Sequence, residues 1–276
     1  MQKVAVGALL LPSLAKAGIS EGLSLAKIKQ VGLQLYSVRG EMLADPIGTL
    51  KQLAAFGFTD IESAAEPGKG AFYGLAPKEI KQICQDLGMT VRSGHVSLDD
   101  QWQQSMEDAV EAGQEYLICR SLPNEGKTAD NYKRAAELFN KAGEACKKHR
   151  LIFGYHNHSV EFQQENGQVL YDLLLEHTDS DLVTMELDLG WMVATGNDPL
   201  DYFRRYKGRF GLWHLKDMDG RRSVELGKGD LDIVNLIKNG KQAGMNHLFI
   251  EQEQFAGSTP MESMERNVKY VKGLTF

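Results

Sequence analysis

Four stretches of the chain each end in two ionisable side chains spaced two residues apart: His156 and His158, Glu186 and Asp188, His214 and Lys216, Glu251 and Glu253. Each pair closes a short apolar run. Residues two apart on a β-strand share a face, so each pair would project to one side of its strand. His156, Asp188, His214 and Glu251 from four successive strands make a mixed nitrogen and oxygen donor set, which suits one divalent ion, Mn, Zn, Co, Fe or Mg. The same side chains can act as general acids and bases. A single His–Asp pair would read as a hydrogen-bonded polar cluster. Four consecutive strands contributing such groups favour a metal site.

Other apolar runs also end in polar or aromatic groups: Gln34 and Tyr36, Glu62, His95 and Arg120. His95 follows Ser93-Gly94 and could shuttle protons, because an unperturbed imidazole titrates near ~6.5. Trp191 follows Asp188-Leu189-Gly190, where an aromatic ring could stack on a sugar or pack on its own loop. Trp102 and Trp213 read as packing residues. Gln34, Tyr36, Glu62, His158 and Trp191 are the expected substrate contacts.

The elements that must position these groups are strands over residues 31–36, 60–63, 90–95, 116–120, 151–156, 183–188, 210–215 and 247–252. Helical patterns fill the gaps. Asp45-Pro46, Ala76-Pro77, Asp198-Pro199 and Thr259-Pro260 open helices, with proline tolerated in the first turn. Gly57, Gly88, Gly113 and Gly244 close helices just before a strand, where the missing Cβ permits a left-handed residue. The strand ends recur about every 30 residues, the size of a βα unit. Eight such units predict a single-domain α/β fold, a (β/α)8 TIM barrel over residues 29–276, with its catalytic face at the strand C-termini. A doubly wound open sheet that binds a nucleotide would need a glycine-rich turn after the first strand; Leu35-Tyr36-Ser37-Val38-Arg39 stands there instead.

A chain of 276 residues suits one such barrel. Its net charge of -6 argues against nucleic-acid binding. No stretch approaches the ~18 apolar residues of a membrane span. Three cysteines without C-x-x-C spacing indicate neither a disulfide framework nor a thiolate zinc site. Lys3 followed by Val4–Leu11 and by small residues up to Gly18 reads as the remnant of a secretory signal within a leader or extension over residues 1–28. That reading implies export to the periplasm; if the segment is a short amphipathic helix capping the barrel, the protein is cytoplasmic. The outer helices of a barrel could support a homo-oligomer. The loop over residues 217–229 carries Arg221, Arg222 and Lys228 but forms no convincing phosphate cradle.

Several segments carry a resemblance: Gly32-Leu33-Gln34-Leu35-Tyr36-Ser37-Val38-Arg39, Tyr155-His156-Asn157-His158, Glu186-Leu187-Asp188-Leu189-Gly190-Trp191, Gly196-Asn197-Asp198-Pro199, Trp213-His214-Leu215-Lys216-Asp217 and Ile250-Glu251-Gln252-Glu253. Over Lys29 to Phe276 the chain resembles the sugar phosphate isomerase/epimerase group of the xylose isomerase-like TIM barrels, which includes inosose dehydratase and ketose 3-epimerases. The resemblance implies a metal held by Glu, Asp, His and Glu at the ends of strands five to eight. Asp188, His214 and Glu251 match the last three. His156 stands where the epimerases have Glu, and those enzymes use their two glutamates as an acid/base pair. The departure leans toward inosose dehydratase-like or keto-sugar-processing branches, with His158 as an alternative ligand or a supporting group.

The expected activity is metal-dependent proton abstraction from a small carbohydrate, a ketose, keto-sugar or keto-cyclitol, through an enediolate. Glu251 or His95 would move the proton, and Lys216 would stabilise oxyanion charge or contact substrate; a salt bridge to Glu186 or Glu253 is its plainer role. Isomerisation, epimerisation and elimination share this first step. Phosphodiester cleavage, as in endonuclease IV, would need more ligands and a basic surface. A catalytically inactive carbohydrate-binding barrel would keep Trp191 and the polar rim without a metal.

Overall fold

The computed structural model describes residues 28–122 and 126–276. The expected signal remnant over residues 1–18 lies outside the described residues, as does the expected extension up to residue 27. Eight short strands form where the apolar runs fall: β1 (Gly32–Gln34), β2 (Asp60–Ala64), β3 (Thr90–Val96), β4 (Tyr116–Cys119), β5 (Ile152–His156), β6 (Val183–Asp188), β7 (Leu212–Leu215) and β8 (His247–Ile250). They pair in parallel, each with its successor and β8 with β1, so the sheet closes into a barrel with no free edge. Most strand ends shift by one or two residues from expectation, and the first strand shows why. The first strand stops at Gln34, and Leu35–Val38 turns into a 3-10 helix because the Gln34 side chain accepts the Tyr36 N–H at 3.0 Å.

Helices α1 (Arg39–Ala44), α2 (Pro46–Phe56), α3 (Pro77–Asp86), α4 (Trp102–Ala112), α5 (Ala129–Lys148), α6 (Leu170–His177), α7 (Leu189–Ala194), α8 (Pro199–Arg205), α9 (Ile233–Lys238), α10 (Gly240–Ala243) and α11 (Pro260–Gly273) fill the connections. Their ends follow local chemistry. The Asp45 carboxylate accepts the Gly48 N–H at 2.9 Å ahead of Pro46, and α2 closes on Gly57 at φ 105°. Thr259 and Glu262 cap α11 reciprocally. No helix among the described residues is long and apolar enough to cross a membrane.

Two cores result. The larger lies between strands and helices and includes Trp213, stacked on Phe203 at 5.0 Å. The smaller plugs the barrel with Tyr116, Ile118, Leu212 and Phe249. Two glycines make room for that plug. A Cβ on Gly32 would lie 2.3 Å from the Phe249 ring, and one on Gly154 would lie 2.6 Å from Ile118. At the strand N-termini Arg92 bridges Asp60 at 2.8 Å and Glu115 at 3.0 Å. The plug leaves the opposite, C-terminal end free for polar side chains.

All three cysteines are buried, and burial raises their thiols to about 12 at Cys84, about 11 at Cys119 and about 12 at Cys146. The thiolate is the reactive form. Native protein at pH 8 is therefore expected to resist a thiol-reactive disulfide reagent, with all three thiols titrating once guanidinium is added. Rapid native labelling at any of them would contradict this packing.

Candidate metal centre and active site

Strand alternation puts Gln34, Glu62, His95, His156, Glu186, Asp188, His214, Lys216 and Glu251 on the inner face of the barrel, each nearly or fully buried. The parallel register levels them: Gln34 pairs with Glu62, Ala64 with His95, His156 with Glu186 and Asp188 with His214. The result is a polar layer directly above the apolar plug.

His214 is the centre of one half. Its Nδ1 lies 2.9 Å from Glu251 Oε2, and its Nε2 lies 2.6 Å from Glu62 Oε2 and 3.2 Å from Glu186 Oε2. Glu62 also accepts the Gln34 amide at 2.8 Å and the Ser93 hydroxyl at 2.7 Å. His95 Nε2 sits 2.7 Å from Glu186 Oε2, and His156 Nδ1 lies 3.5 Å from the same oxygen. Lys216 organises the other half. Its ammonium is fully buried, 2.8 Å from Asp188 Oδ2, 2.8 Å from Glu251 Oε2 and 2.5 Å from Glu253 Oε1. The Trp191 ring flanks it, with the ammonium 5.0 Å from the ring centroid. Asp188 is fixed further by the Trp191 N–H at 2.8 Å on Oδ1 and by Asn157, whose amide oxygen accepts the Asp188 N–H at 3.1 Å.

The charges sort by position. Burial would raise Glu62, but His95 and His214 outweigh it and hold the carboxyl down to about 2. Burial likewise opposes ionisation of Glu251, yet Lys216 and His214 hold it well below the usual carboxylate range. Glu186 goes the other way: burial, then the neighbouring Glu62 charge, raise it well above that range. Burial also raises Asp188, against the pull of Lys216. Burial lowers His95 to about 4, and burial reinforced by His214 lowers His156 well below its ordinary value. Burial opposes protonation of His214, but Glu186, Glu251 and Glu62 together raise it well above its ordinary value.

These residues fit a divalent ion. Burial favours the neutral imidazole at His95 and His156, the ligating form, whereas His214, drawn toward the imidazolium by its three carboxylates, would release its proton to ligate. His156 Nδ1 and Glu186 Oε1 are buried without a hydrogen bond, and a cation is the partner that would satisfy both. Two overlapping donor sets have all their ligating atoms within 4.8 Å of one another: His156, Asp188, His214 and Glu251, and His95, His156, Glu186 and His214. The first is the set expected from the strand-end pattern. The second brings in Glu186, which the sequence reading paired with Asp188 without giving it a site role. The shared parity of the two carboxylates was the available signal.

A cavity of about 190 Å³ opens above this layer, lined by Tyr36, Ala64, His95, Arg120, His156, His158, Glu251 and Glu253. Four of the expected substrate contacts divide sharply. Tyr36 and His158 border the cavity. Gln34 and Glu62 do not; they are fully buried and tied to His214 from below. Trp191 is also off the cavity wall and flanks Lys216 instead. Lys216 pairs with Glu253, as its plainer role required, but its other partners are Asp188 and Glu251 rather than Glu186. His158 owes its place to Glu161, which accepts the His158 N–H at 2.8 Å and the Tyr155 hydroxyl at 2.7 Å. Ser93, Asn157 and Glu161 received no role from the sequence, because their roles depend on partners across the barrel or in an irregular loop.

The 217–229 loop is closed to phosphate by its own chain. The buried Asp217 carboxylate fills the nest of backbone N–H groups, accepting from Gly227 at 2.8 Å, Gly229 at 3.0 Å and Leu231 at 3.1 Å. Arg222 pairs with Asp219 at 2.6 Å and Lys228 with Glu225 at 2.5 Å.

Residues 50–274 match the xylose isomerase-like TIM barrels. A solved sugar phosphate isomerase/epimerase from Parabacteroides distasonis is similar at 30% identity, covering 91% of this chain and 96% of that one with a TM-score of 0.79. An inosose dehydratase from Lacticaseibacillus casei is 31% identical over 113 residues, 41% of this chain and 37% of that protein. Another from Clostridium tetani is 29% identical over 168 residues, 52% of this chain and 55% of that protein. The matched regions thus span about half or less of the length of these dehydratases.

Proposed function

The chain belongs to the xylose isomerase-like TIM-barrel family, and from that premise we propose that it is a divalent-metal-dependent isomerase or epimerase of a ketose, keto-sugar or keto-cyclitol. The observation that carries this reading is the donor layer itself: four strand ends converge within 4.8 Å, with two orphaned buried ligand atoms among them, beneath a cavity of monosaccharide scale. The names of the similar proteins, a sugar phosphate isomerase/epimerase and inosose dehydratases, support a sugar substrate.

His156, Asp188, His214 and Glu251 would hold the ion, which when bound polarises a substrate carbonyl and makes the adjacent C–H more acidic. The protein's own groups do the rest. Glu251 borders the cavity and stays ionised, so its carboxylate is the base that takes the proton. His95 and Glu186 share a proton across their 2.7 Å contact and can return it to substrate on the other side. Lys216 acts through its carboxylates: it keeps Glu251 and Asp188 charged and oriented, and the positive field it adds beside the cavity favours the enediolate oxyanion. Tyr36, His158 and Arg120 are the hydrogen-bonding groups for sugar hydroxyls, while Gln34 and Glu62 position His214.

The His at position 156 favours a second reading, elimination of water or an alkoxide. An epimerase uses two carboxylates on opposite faces of the carbon, and among the described residues the carboxylates bordering this cavity, Glu251 and Glu253, both come from the segment just past β8. Elimination needs one base and a proton for the leaving group, which the His95–Glu186 pair supplies.

Solvent exchange tests the shared step. Metal-loaded protein in D2O is expected to wash deuterium into the carbonyl-adjacent position of fructose or a 3-keto-hexose, read by proton NMR. Glu251→Gln should slow it by roughly 10²–10⁴-fold, the usual worth of a general base. No exchange with any ketose or keto-sugar would sink the proposal, and a conjugated enone absorbance would select elimination.

A further inference from the structure

Gln34, Glu62 and Ser93 form a fully buried hydrogen-bonded group that ends on His214. Its bonds run in one direction. The Tyr36 backbone N–H can only donate, and it donates to Gln34 Oε1 at 3.0 Å. That fixes the Gln34 carboxamide, so its NH2 faces Glu62 Oε2 at 2.8 Å as a donor. The Ser93 hydroxyl donates to the other oxygen, Oε1, at 2.7 Å. A carboxylate only accepts, so the third neighbour of Glu62, His214 Nε2 at 2.6 Å, meets it as an N–H. The opposite ring nitrogen, Nδ1, is then the one left to ligate a cation. The two edges of the ring also face different donor sets. Nδ1 lies 2.9 Å from Glu251 Oε2, and Lys216 ties Glu251 to Asp188 by pairing with both carboxylates at 2.8 Å. Glu186, which belongs to the set with His95, lies on the Nε2 edge at 3.2 Å, where Glu62 is already the closer partner.

We infer that Glu62, oriented by Gln34 and Ser93, locks the tautomer of His214: Nε2 keeps its proton, Nδ1 is the ligating nitrogen, and the ion is thereby committed to the side of Asp188 and Glu251. This rests on the metal reading proposed above and deepens it. Glu62 is a positioning residue. It is off the cavity wall and acts through His214, as a carboxylate behind a ligating imidazole fixes its tautomer and ring orientation. The group begins at Tyr36, which borders the cavity, so one set of hydrogen bonds supports both a wall residue and a metal ligand.

Zinc-loaded protein carrying isotopically labelled histidine gives the test in a long-range proton–nitrogen correlation spectrum, with the His214 ring assigned through its own backbone. Wild type is expected to show a protonated Nε2 and a zinc-bound Nδ1. Zinc on Nε2 overturns the lock and leaves the metal reading standing, whereas wild type that takes up no zinc overturns both. Two variants separate the acceptor from its charge. Glu62→Gln keeps an oxygen where Gln34 and His214 donate and offers its NH2 to the Ser93 hydroxyl. Zinc should therefore stay on Nδ1, with affinity within ~10-fold of wild type. Glu62→Leu removes the acceptor, and zinc affinity measured by competition with a chelator should fall ~10–100-fold. Zinc displaced from Nδ1 in the glutamine variant overturns the lock, as does zinc held by the leucine variant as tightly as by wild type. If the leucine variant does not fold, the wild-type and glutamine spectra decide.

Discussion

Replacing His214 with alanine is expected to strip the protein of its divalent ion, with affinity falling by more than ~100-fold and turnover lost with it. The basis is that His214 belongs to both donor sets, as does His156. Removing even a group that merely supports a metal ligand costs ~10–100-fold, so losing a ligand common to both sets should cost more. Two isosteric carboxamides then separate the sets. Asp188→Asn disables the set completed by Glu251, and Glu186→Gln disables the one completed by His95. Elemental analysis after dialysis against excess Mn or Zn is expected to show the ion lost from Asp188→Asn and retained by Glu186→Gln, because Lys216 and His214 favour the charged form of Glu251 against its burial, while burial and the Glu62 charge disfavour the charged form of Glu186. The reverse pattern would move the ion to the His95 side. Full occupancy in all three variants would place the ion outside both donor sets, whereas no ion in the wild-type protein would end the metal reading and leave a sugar-binding barrel.

Asp217→Ala is expected to cost about 3 kcal/mol of stability and to lower Tm by ~6–12 °C for a chain of this size. Asp217 is fully buried and no cation pairs with it among the described ion pairs. Its four acceptor contacts are all backbone N–H groups: Met218 at 3.0 Å, Gly227 at 2.8 Å, Gly229 at 3.0 Å and Leu231 at 3.1 Å. Removing the carboxylate leaves those donors without their acceptor. Gly229 packs so closely that a Cβ would meet Asp217 Oδ1 at 2.3 Å. Asp217→Asn keeps the shape but exchanges one acceptor oxygen for a donor, so it should fall between alanine and wild type. Chemical denaturation of the three proteins decides this. A Tm for the alanine variant within about 1 °C of wild type would mean the nest is satisfied by other means.

Much of this molecule was legible in local sequence. The eight strands, the capping at Asp45 and Thr259, and the helix-ending glycines depend on neighbours a few residues away, so periodicity and Pro/Gly punctuation suffice to read them. Strand alternation also assigned His156, Asp188, His214 and Glu251 to one inner face, since side-chain direction has a period of two and needs no knowledge of the partner strand. The exact end of β1 was not legible, because a side-chain cap from Gln34 competes there with continued extension.

Only the closed barrel decided which polar groups meet. Glu62 and His214 are 152 residues apart in sequence and touch at 2.6 Å because their strands face each other across the barrel. Strand tilt and stagger set the level at which each side chain enters the interior, and nothing local to Glu186 or Asp188 reveals which of them joins the imidazoles and which meets Lys216. The same geometry took Gln34, Glu62 and Trp191 off the cavity wall and put Asp217 into its own loop's nest. Sequence determined the kinds of chemistry available and the face that carries them. Contacts between distant strands decided the partners, the charges and the opening, because those depend on closure of the sheet and not on any one strand.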